Sequence, residues 1–585
     1  MSFEEARKEA FGHISRFFFV EMQSCLANCS FAECWNVEIE VDHHGTVLCV
    51  PLHIRFKSDF PLSLPKIAID PSFSEQIGYI PNIDSRGIIC TFDDALTIPD
   101  PKLPSIVVEK CIRQAKEIIQ RGINQDRIDA FQDEYLAYWE NAYQGEKPVE
   151  RTVLSLIDET IGIPKQITFV TLGQPLGIYN AVLYADFRQF EGVQRYLNNS
   201  KIRYTETQSF FLGELPACFL KQPPFTLKNR DVFALVKQLN QWQEFRQFAA
   251  KRRHQLIVTF AKRINNRLVI LGWRHSSLKG KIPSRPRRRG KGRKRKNRRF
   301  AIFNYPENLV NRFSPQNLTQ TRIQTRTAGD YEAHWIDAEA RVLVAGLGSV
   351  GSNLVSLLES SGFRRFHFVD GDVMTIENIG KHLLGIESVG LAKVDGVRTY
   401  LEQRNPLNIV DVRHKRIVEL ALVEPDFIEI CDYCFYCTGD LNAENWLAHH
   451  ITEKWARPSF FIWVEPYLAG GHCIYLSGQD EIVWNELFIE HYFKYNVIPP
   501  FVHEQIRFTK REAGCQVSYI PFNALILKQF LSSLVPRLFR VIDDPTAKSR
   551  RFSWIGDLEN INKMGIAVSE SARQLGSFQL EEQLL

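Results

Sequence analysis

Hydrophobic and polar positions change their period several times along this chain. After an opening stretch of helical period, the runs "WNVEIEVD" (35–42), "TVLCVPLHIRF" (46–56) and "KIAID" (66–70) place apolar residues at alternate positions. That alternation predicts half-buried strands. A turn-rich segment with Pro81, Asn82 and Gly87 follows, and "LPSIVVEKCIRQAKEIIQRGI" (103–123) then returns to helical spacing. Helix, antiparallel strands, helices is an α+β order, expected to fill residues 1–145. Residues 150–278 read as a second, α/β block with strands such as "QITFVTL" and "HQLIVTFAKR" and no chemical motif. A third block, 320–585, starts near Arg322. Its stretch "ARVLVAGLGSVGSNLVSLLESSGFRRFHFVDGD" (340–372) reads as buried strand, glycine turn, helix and second strand. This is a βαβ unit of a doubly wound sheet, so the whole is a multidomain α/β protein.

Length agrees, since 585 residues exceed what one core supports. Acids near the start, where a signal peptide would be basic, and apolar runs no longer than "SFFIWV" (459–464) predict a cytoplasmic protein with no membrane partner. In a reducing compartment the twelve cysteines are thiols, ligands or nucleophiles. The net charge of +5 has one local source: residues 279–299 hold thirteen Lys and Arg and no acid. Without them, 59 basic residues face 67 acidic ones, a net of −8. The segment has too few apolar residues to pack. It reads as a solvated linker or as a weak polyanion contact, without the aromatics that would stack on bases.

Gly346, Gly348 and Gly351 form G-x-G-x-x-G between a strand and a helix. Such a loop brings backbone N–H groups to a phosphate, and Asp370, ending the next strand, is placed for ribose hydroxyls. Taken alone, this says "nucleotide", with NAD the commonest occupant.

The following residues, "GDVMTIENIGKHLLGIESVGLAKVD" (371–395), resemble the adenylating domain of ThiF/MoeB-type and ubiquitin-activating enzymes. The resemblance implies that ATP is bound by the loop together with Asp370, Asn378, Lys381 and Lys393. Lys381 stands where the family has Arg, which keeps the charge but loses the bidentate fork. In "FYCTGDLNAEN" (435–445) Asp440 lies one position from the family's acid. The resemblance makes it the carboxylate linked to Mg²⁺. Arg322, or Arg326, matches an Arg that reaches the phosphates of a neighbouring subunit, which implies a homodimer. The implied chemistry is attack of a substrate carboxylate on the α-phosphorus, giving an acyl-adenylate that needs a nucleophile.

"CDYCFYC" (431–437) has the spacing of metal ligands, but residues on a strand alternate faces and do not converge on one ion. Cys431, Cys434 and Cys437 are therefore expected to be structural. In the first block, "IPNIDSRGIICTFDD" (80–94) resembles the active-site segment of ubiquitin-conjugating enzymes, with Pro81, Asn82, Gly87 and Cys90 in register and Ile80 where the family has His. The resemblance implies a thioester on Cys90 and an oxyanion contact from Asn82. The remaining cysteines outside such frames, including Cys34, Cys49, Cys111 and Cys473, are expected to pack.

The combination, with "EPYLAGGH" (465–472) and "EAGC" (512–515), is similar to fused activating–conjugating enzymes of bacterial CBASS anti-phage operons. That resemblance implies an N-terminal ubiquitin-conjugating-like fold, a middle linker domain and a C-terminal Rossmann-like adenylation domain. It also implies transfer of the C-terminus of a cGAS-like nucleotidyltransferase to Cys515, then to Cys90, then to a lysine on a target protein. Two readings stand beside it. One is another enzyme using the same loop: a sulfur-carrier adenylyltransferase or a dinucleotide oxidoreductase. The other is a scaffold whose conjugating-like block is dead.

Overall fold

The computed structural model describes residues 2–585 except 24–30, 71–72, 74–79, 85, 94–95, 125–134, 141–148, 161, 216–223, 225–226, 252–254, 265–266, 277–302, 304–305, 324–336, 338, 451–456, 479–483, 490–491, 506–507, 509 and 512–517. Cys515, Arg326 and the basic segment 279–299 thus lie outside the described residues, as do Cys25, Cys29 and Cys218. The chain forms two compact units, 1–185 with 204–318, and 186–203 with 319–585.

In the first unit the alternation seen in the sequence becomes a five-stranded antiparallel sheet, Phe19–Gln23, Glu33–His43, Thr46–Phe56, Lys66–Ile69 and Ile88–Ile89, in chain order. Trp35, Val37, Ile39 and Val41 share one face with Val50, Leu52, Ile54 and Phe56. On that face lie the helices Phe3–Ile14, started by a Ser2–Glu5 capping box, and Pro104–Asn124. Cys111 is buried there and Cys34 is also buried, whereas Cys49 is exposed, which corrects its expected packing role. It points away from the core because its neighbours Leu48 and Val50 flank it on a strand of period two.

The same unit holds two more sheets. Gln316–Asn317, Val153–Ser155, Tyr179–Tyr184, Thr168–Leu176 and Tyr204–Gln208 form one; Phe210–Glu214, Gln255–Ile264, Arg267–Ser276 and Asn311–Phe313 form the other. Phe169, Leu183, Ile257, Ile270 and Phe313 pack between them. The helices Asn229–Gln238 and Trp242–Lys251 cover the second sheet. One helix of this stretch, Phe187–Asn199, belongs instead to the second unit. There Asn199 donates to Glu402 at 2.9 Å, Arg195 pairs with Asp411 at 3.0 Å, and a Cβ on Gly192 would stand 2.8 Å from the Leu407 carbonyl oxygen. The segment 150–278 therefore contributes to both units.

The second unit is built on an eight-stranded sheet. Ile409–Arg413, Arg365–Val369, Arg341–Ala345, Tyr433–Tyr436 and Ser459–Val464 run parallel, and Gly470–Leu476, Arg550–Ile555 and Leu580–Leu584 follow antiparallel. The helices Ser349–Ser360, Lys393–Arg404 and Ala524–Ile542 cover one face; Ile417–Val423 and Leu441–His450 cover the other. Strand order reverses between Arg341–Ala345 and Tyr433–Tyr436, the switch point where doubly wound sheets bind ligands. Among the described residues no helix is long and apolar enough to cross a membrane.

Candidate functional site

The glycine loop sits at that switch point. Gly346 has φ +84°, and a Cβ there would lie 2.5 Å from the Cys437 carbonyl oxygen. A Cβ on Gly351 would lie 1.9 Å from the Gly346 carbonyl oxygen, while one on Gly348 would meet open space. Gly346 and Gly351 thus serve close packing, and Gly348 faces outward. Gly348 is the N-cap of Ser349–Ser360 and has no side-chain cap, so the first turn presents N–H groups and a positive dipole end. These features fit a phosphate.

Asp370 accepts the Leu347 N–H at 2.6 Å through one oxygen and the Asp372 N–H at 2.7 Å through the other. It therefore shapes the loop as well as ending the strand, and burial pushes its pKa up. Lys393 is buried and donates to Asp372 at 2.8 Å. Asn378 caps the short turn Ile376–Asn378 by accepting the Thr375 N–H at 3.0 Å. Lys381 is half-buried; its ammonium lies 3.4 Å from the Ile520 carbonyl oxygen and 4.4 Å from the centre of the Phe522 ring. Burial lowers its pKa. Asp440 is exposed and caps Leu441–His450, accepting the Asn442 and Ala443 N–H groups at 3.1 and 3.2 Å.

Three residues that the sequence did not single out hold this arrangement. Asn353 donates to the Ser349 and Lys381 carbonyls at 2.7 and 2.9 Å. His382 bonds the Leu347 carbonyl through Nε2 at 2.7 Å and accepts the Leu384 N–H through Nδ1 at 3.0 Å, which places its proton on Nε2. Glu444 is buried, accepts from Thr438 Oγ1 at 2.8 Å and the Gly439 N–H at 3.3 Å, and has its pKa raised to about 7 by burial. An acid four residues after Asp440 on a helix was its only trace in the sequence.

A cavity of about 480 Å³ opens beside Gly348, bounded by Thr438, Glu444, Glu465, Ile520 and Phe522 among others. "EPYLAGGH" forms part of its wall. Glu465 accepts the Val497 and Ile498 N–H groups at 2.6 and 2.8 Å and His472 Nε2 at 2.7 Å. A Cβ on Gly470 would lie 2.2 Å from the same carboxylate. Tyr467 donates its N–H to the Pro521 carbonyl at 2.9 Å, which anchors the segment returning from Cys515. Lys510–Arg511 and Ser518–Tyr519 pair antiparallel on either side of residues 512–517. From Ile520 to Cys515 the chain spans five residues, about 18 Å at most.

Arg322 stands two residues after Gln320. Its segment adjoins the opposite end of the helix Ser349–Ser360, where Gln320 reaches the Gly362 carbonyl at 3.4 Å and Arg364 at 2.6 Å. The three clustered cysteines do not converge. Cys431 and Cys434 pack into the core on one face of the sheet and Cys437 into the core on the other, all with thiol pKa values raised by burial. Among the described residues no group of three His, Cys, Asp or Glu could hold a metal ion.

In the first unit the backbone turns back on itself between Asn82 and Cys90. Cys90 donates its N–H to the Asn82 carbonyl at 2.8 Å, Ile69 donates to the Gly87 carbonyl at 2.8 Å, and Asp84 accepts the Arg86 and Ile88 N–H groups at 2.9 Å each. Gly87 has φ +78°, and a Cβ there would stand 2.8 Å from the Ile69 carbonyl oxygen. Asn82 is itself left-handed, φ +64°. Cys90 is exposed, whereas Ile80 is buried against Gly122, whose Cβ would overlap it at 2.0 Å. This geometry presents an exposed thiol at the end of a hydrogen-bonded hairpin.

Comparison with known proteins follows the same division. Residues 332–458 match the ThiF family, and residues 30–147 match prokaryotic E2 family B. The chain joins an N-terminal E2-like domain to a C-terminal ThiF-type, Rossmann-like adenylation domain. Arg322 and Cys515 fall outside the ThiF match. The chain is similar to adenylyltransferase and sulfurtransferase MOCS3 of Anopheles gambiae, with 36 % identity over 91 residues, 15 % of this chain. It is 42 % identical over 65 residues, 11 % of this chain, to the protein of the same description from Aedes aegypti. It spans only 21 % and 15 % of the length of these relatives. A solved structure of E. coli MccB overlaps 42 % of this chain and 62 % of its own, with 14 % identity and a TM-score of 0.29. For PaaA the values are 42 %, 64 %, 14 % and 0.28.

Proposed function

We propose that this protein activates the carboxyl terminus of a protein with ATP and conjugates it to an amine through two thioesters. The observation that carries this reading is that an adenylating glycine loop and a conjugating-type cysteine hairpin occur in one chain. A substrate carboxylate attacks the α-phosphorus of ATP and pyrophosphate leaves. The Cys515 thiolate attacks the resulting acyl-adenylate and AMP leaves. The Cys90 thiolate then displaces Cys515, and an amine displaces Cys90 while Asn82 steadies the oxyanion.

The open face of Gly348 and the uncapped helix start suit the phosphates, with Lys381 and Lys393 as cations and Asp370 beside the ribose. Asp440 would hold Mg²⁺, an ion that takes one or two carboxylates together with phosphate oxygens. Its chemistry there is neutralisation of phosphate charge. The wall at Ile520 and Phe522 supports Cys515 as the capturing thiol, because the chain leads from that wall to it in five residues.

The finer proposal, from the resemblance to CBASS enzymes, is that the activated terminus is that of a cGAS-like nucleotidyltransferase, the acceptor a lysine on a target protein, and the setting anti-phage defence. A homodimer in which Arg322 serves the neighbouring subunit's phosphates belongs to the same proposal. Pyrophosphate exchange dependent on a nucleotidyltransferase with a free C-terminus tests the first step. Exchange should survive Cys515→Ala and Cys90→Ala. A thiol-labile adduct should form on Cys515 in the Cys90 variant and be absent in the Cys515 variant. NAD binding without ATP turnover would overturn the reading. The similarity to MOCS3 favours a sulfur-carrier adenylyltransferase as the second reading, which predicts sulfide rather than an amine as the final acceptor.

A further inference from the structure

Asn82 donates its N–H to the hydroxyl of Tyr138 at 2.7 Å, across 56 positions of sequence. Its carbonyl meanwhile accepts the Cys90 N–H at 2.8 Å. Asn82 is thus held through both its backbone N–H and its carbonyl while it takes a left-handed φ of +64°, a region that asparagine enters more readily than most residues. Ile80, two residues earlier, is apolar and buried, so it adds packing but no hydrogen bond.

Tyr138 is itself fixed from the far side. It lies on the helix Tyr135–Glu140, whose Tyr135 and Trp139 pack into the core beneath the middle sheets. Arg312 donates to the Trp139 and Tyr138 carbonyls at 2.9 and 3.3 Å, and Trp139 donates through Nε1 to the Phe313 carbonyl at 3.0 Å. Ser314 bonds Glu140 at 2.7 Å. Tyr138 is only 2 % exposed. A hydroxyl held this firmly and bonded to a peptide at the reacting hairpin is placed to set that peptide's orientation.

We propose that Tyr138 is a positioning residue of the Cys90 centre, by which the helix Tyr135–Glu140, anchored in the core of the middle sheets, holds Asn82 in place for discharge of the thioester. This rests on the conjugation reading above. In that step an amine nitrogen attacks the thioester carbonyl, the C–N bond forms, the C–S bond breaks, Cys90 leaves as thiolate and the amine gives its proton to solvent. Asn82 acts on the oxyanion between these events, and its orientation should tell on discharge by a neutral amine far more than on loading, where the attacking Cys90 thiolate is the stronger nucleophile.

The test uses the full chain carrying Cys515→Ala, so that Cys515 contributes no acyl group. The acetylglycylglycyl thioester of mercaptoethanesulfonate loads Cys90, free lysine discharges it, and mass spectrometry follows the Cys90 peptide. Tyr138→Phe should load at the parental rate and discharge about tenfold more slowly, the effect of one lost hydrogen bond. Asn82→Ala should slow discharge by about a hundredfold or more. The double variant should be no slower than Asn82→Ala alone, because Tyr138 acts through Asn82. Tyr135→Phe, a hydroxyl removed from the same helix, should leave discharge unchanged. Parental discharge by Tyr138→Phe with Asn82→Ala still slow would overturn the role of Tyr138 and leave the conjugation reading standing. Equal slowing by Tyr135→Phe, or a double variant slower than Asn82→Ala, would reduce Tyr138 to a structural residue. Failure of Cys90 to load or discharge in the parent would overturn the conjugation reading and this proposal with it.

Discussion

The Lys381 ammonium stands 4.4 Å from the centre of the Phe522 ring, so a cation beside the glycine loop touches the chain that returns from Cys515. A half-buried cation over an aromatic face gains about 1 kcal/mol. Removing the ring with Phe522→Leu should change the KM for ATP by only a few-fold yet slow formation of the Cys515 thioester. Lys381→Met should instead raise the KM for ATP about tenfold or more, the scale of a lost charged hydrogen bond. Steady-state exchange and single-turnover thioester assays separate the two. Unchanged thioester formation in Phe522→Leu would disconnect the contact from transfer.

Two of the loop glycines should fail differently. Gly351→Ala drives a Cβ to within 1.9 Å of a backbone oxygen and should cost about 3 kcal/mol of stability. Gly348→Ala places its Cβ in open space at an ordinary φ of −73°, so stability should stay within about 1 kcal/mol. Its loss should appear in nucleotide binding, because the methyl group occupies the space left for phosphate. Thermal denaturation with and without ATP reads both; tight ATP binding by Gly348→Ala would move the phosphates elsewhere.

Glu444 makes stability depend on pH. Its folded pKa, raised from 4.5 to about 7 by burial, means that the folded state keeps a proton the unfolded state has released. The associated stability is whole below pH 4.5 and is lost as pH rises through 7, a change of about 3 kcal/mol. Glu444→Gln keeps an acceptor for Thr438 and Gly439 without the charge. It should gain stability over the parent at pH 8 and match it near pH 5 in denaturant titrations. A parent–variant difference that stays flat between those pH values would refute the assignment.

Thiol reactivity should divide by burial. Native alkylation should label Cys90 and Cys49, which are exposed, and spare Cys431, Cys434, Cys437 and Cys473, which are buried with raised pKa values. Peptide mapping before and after unfolding gives the comparison. Because Cys431 and Cys434 pack on one face of the sheet and Cys437 on the other, a chelator should leave the Tm unchanged. A chelator-induced fall would mean that these thiols hold a metal.

Much of this was legible in the sequence. Alternation at 35–41 and 50–56 specified which strand faces are buried, since a strand's side chains can only alternate. The glycine spacing at 346–351 specified a strand-to-helix turn, and Pro81, Asn82 and Gly87 specified a turn-rich segment. These are local constraints: a few adjacent residues and the geometry of the backbone determine them. Only the tertiary structure decided which distant groups share a dry site. Nothing in "YLAYWE" announces that Tyr138 reaches Asn82, that the helix Phe187–Asn199 leaves its neighbours in sequence for the second unit, or that Glu444 is desolvated while Asp440 is not. Periodicity states that a residue will be buried, but the partner and the loss of water that set its chemistry come from chain segments brought together across the fold.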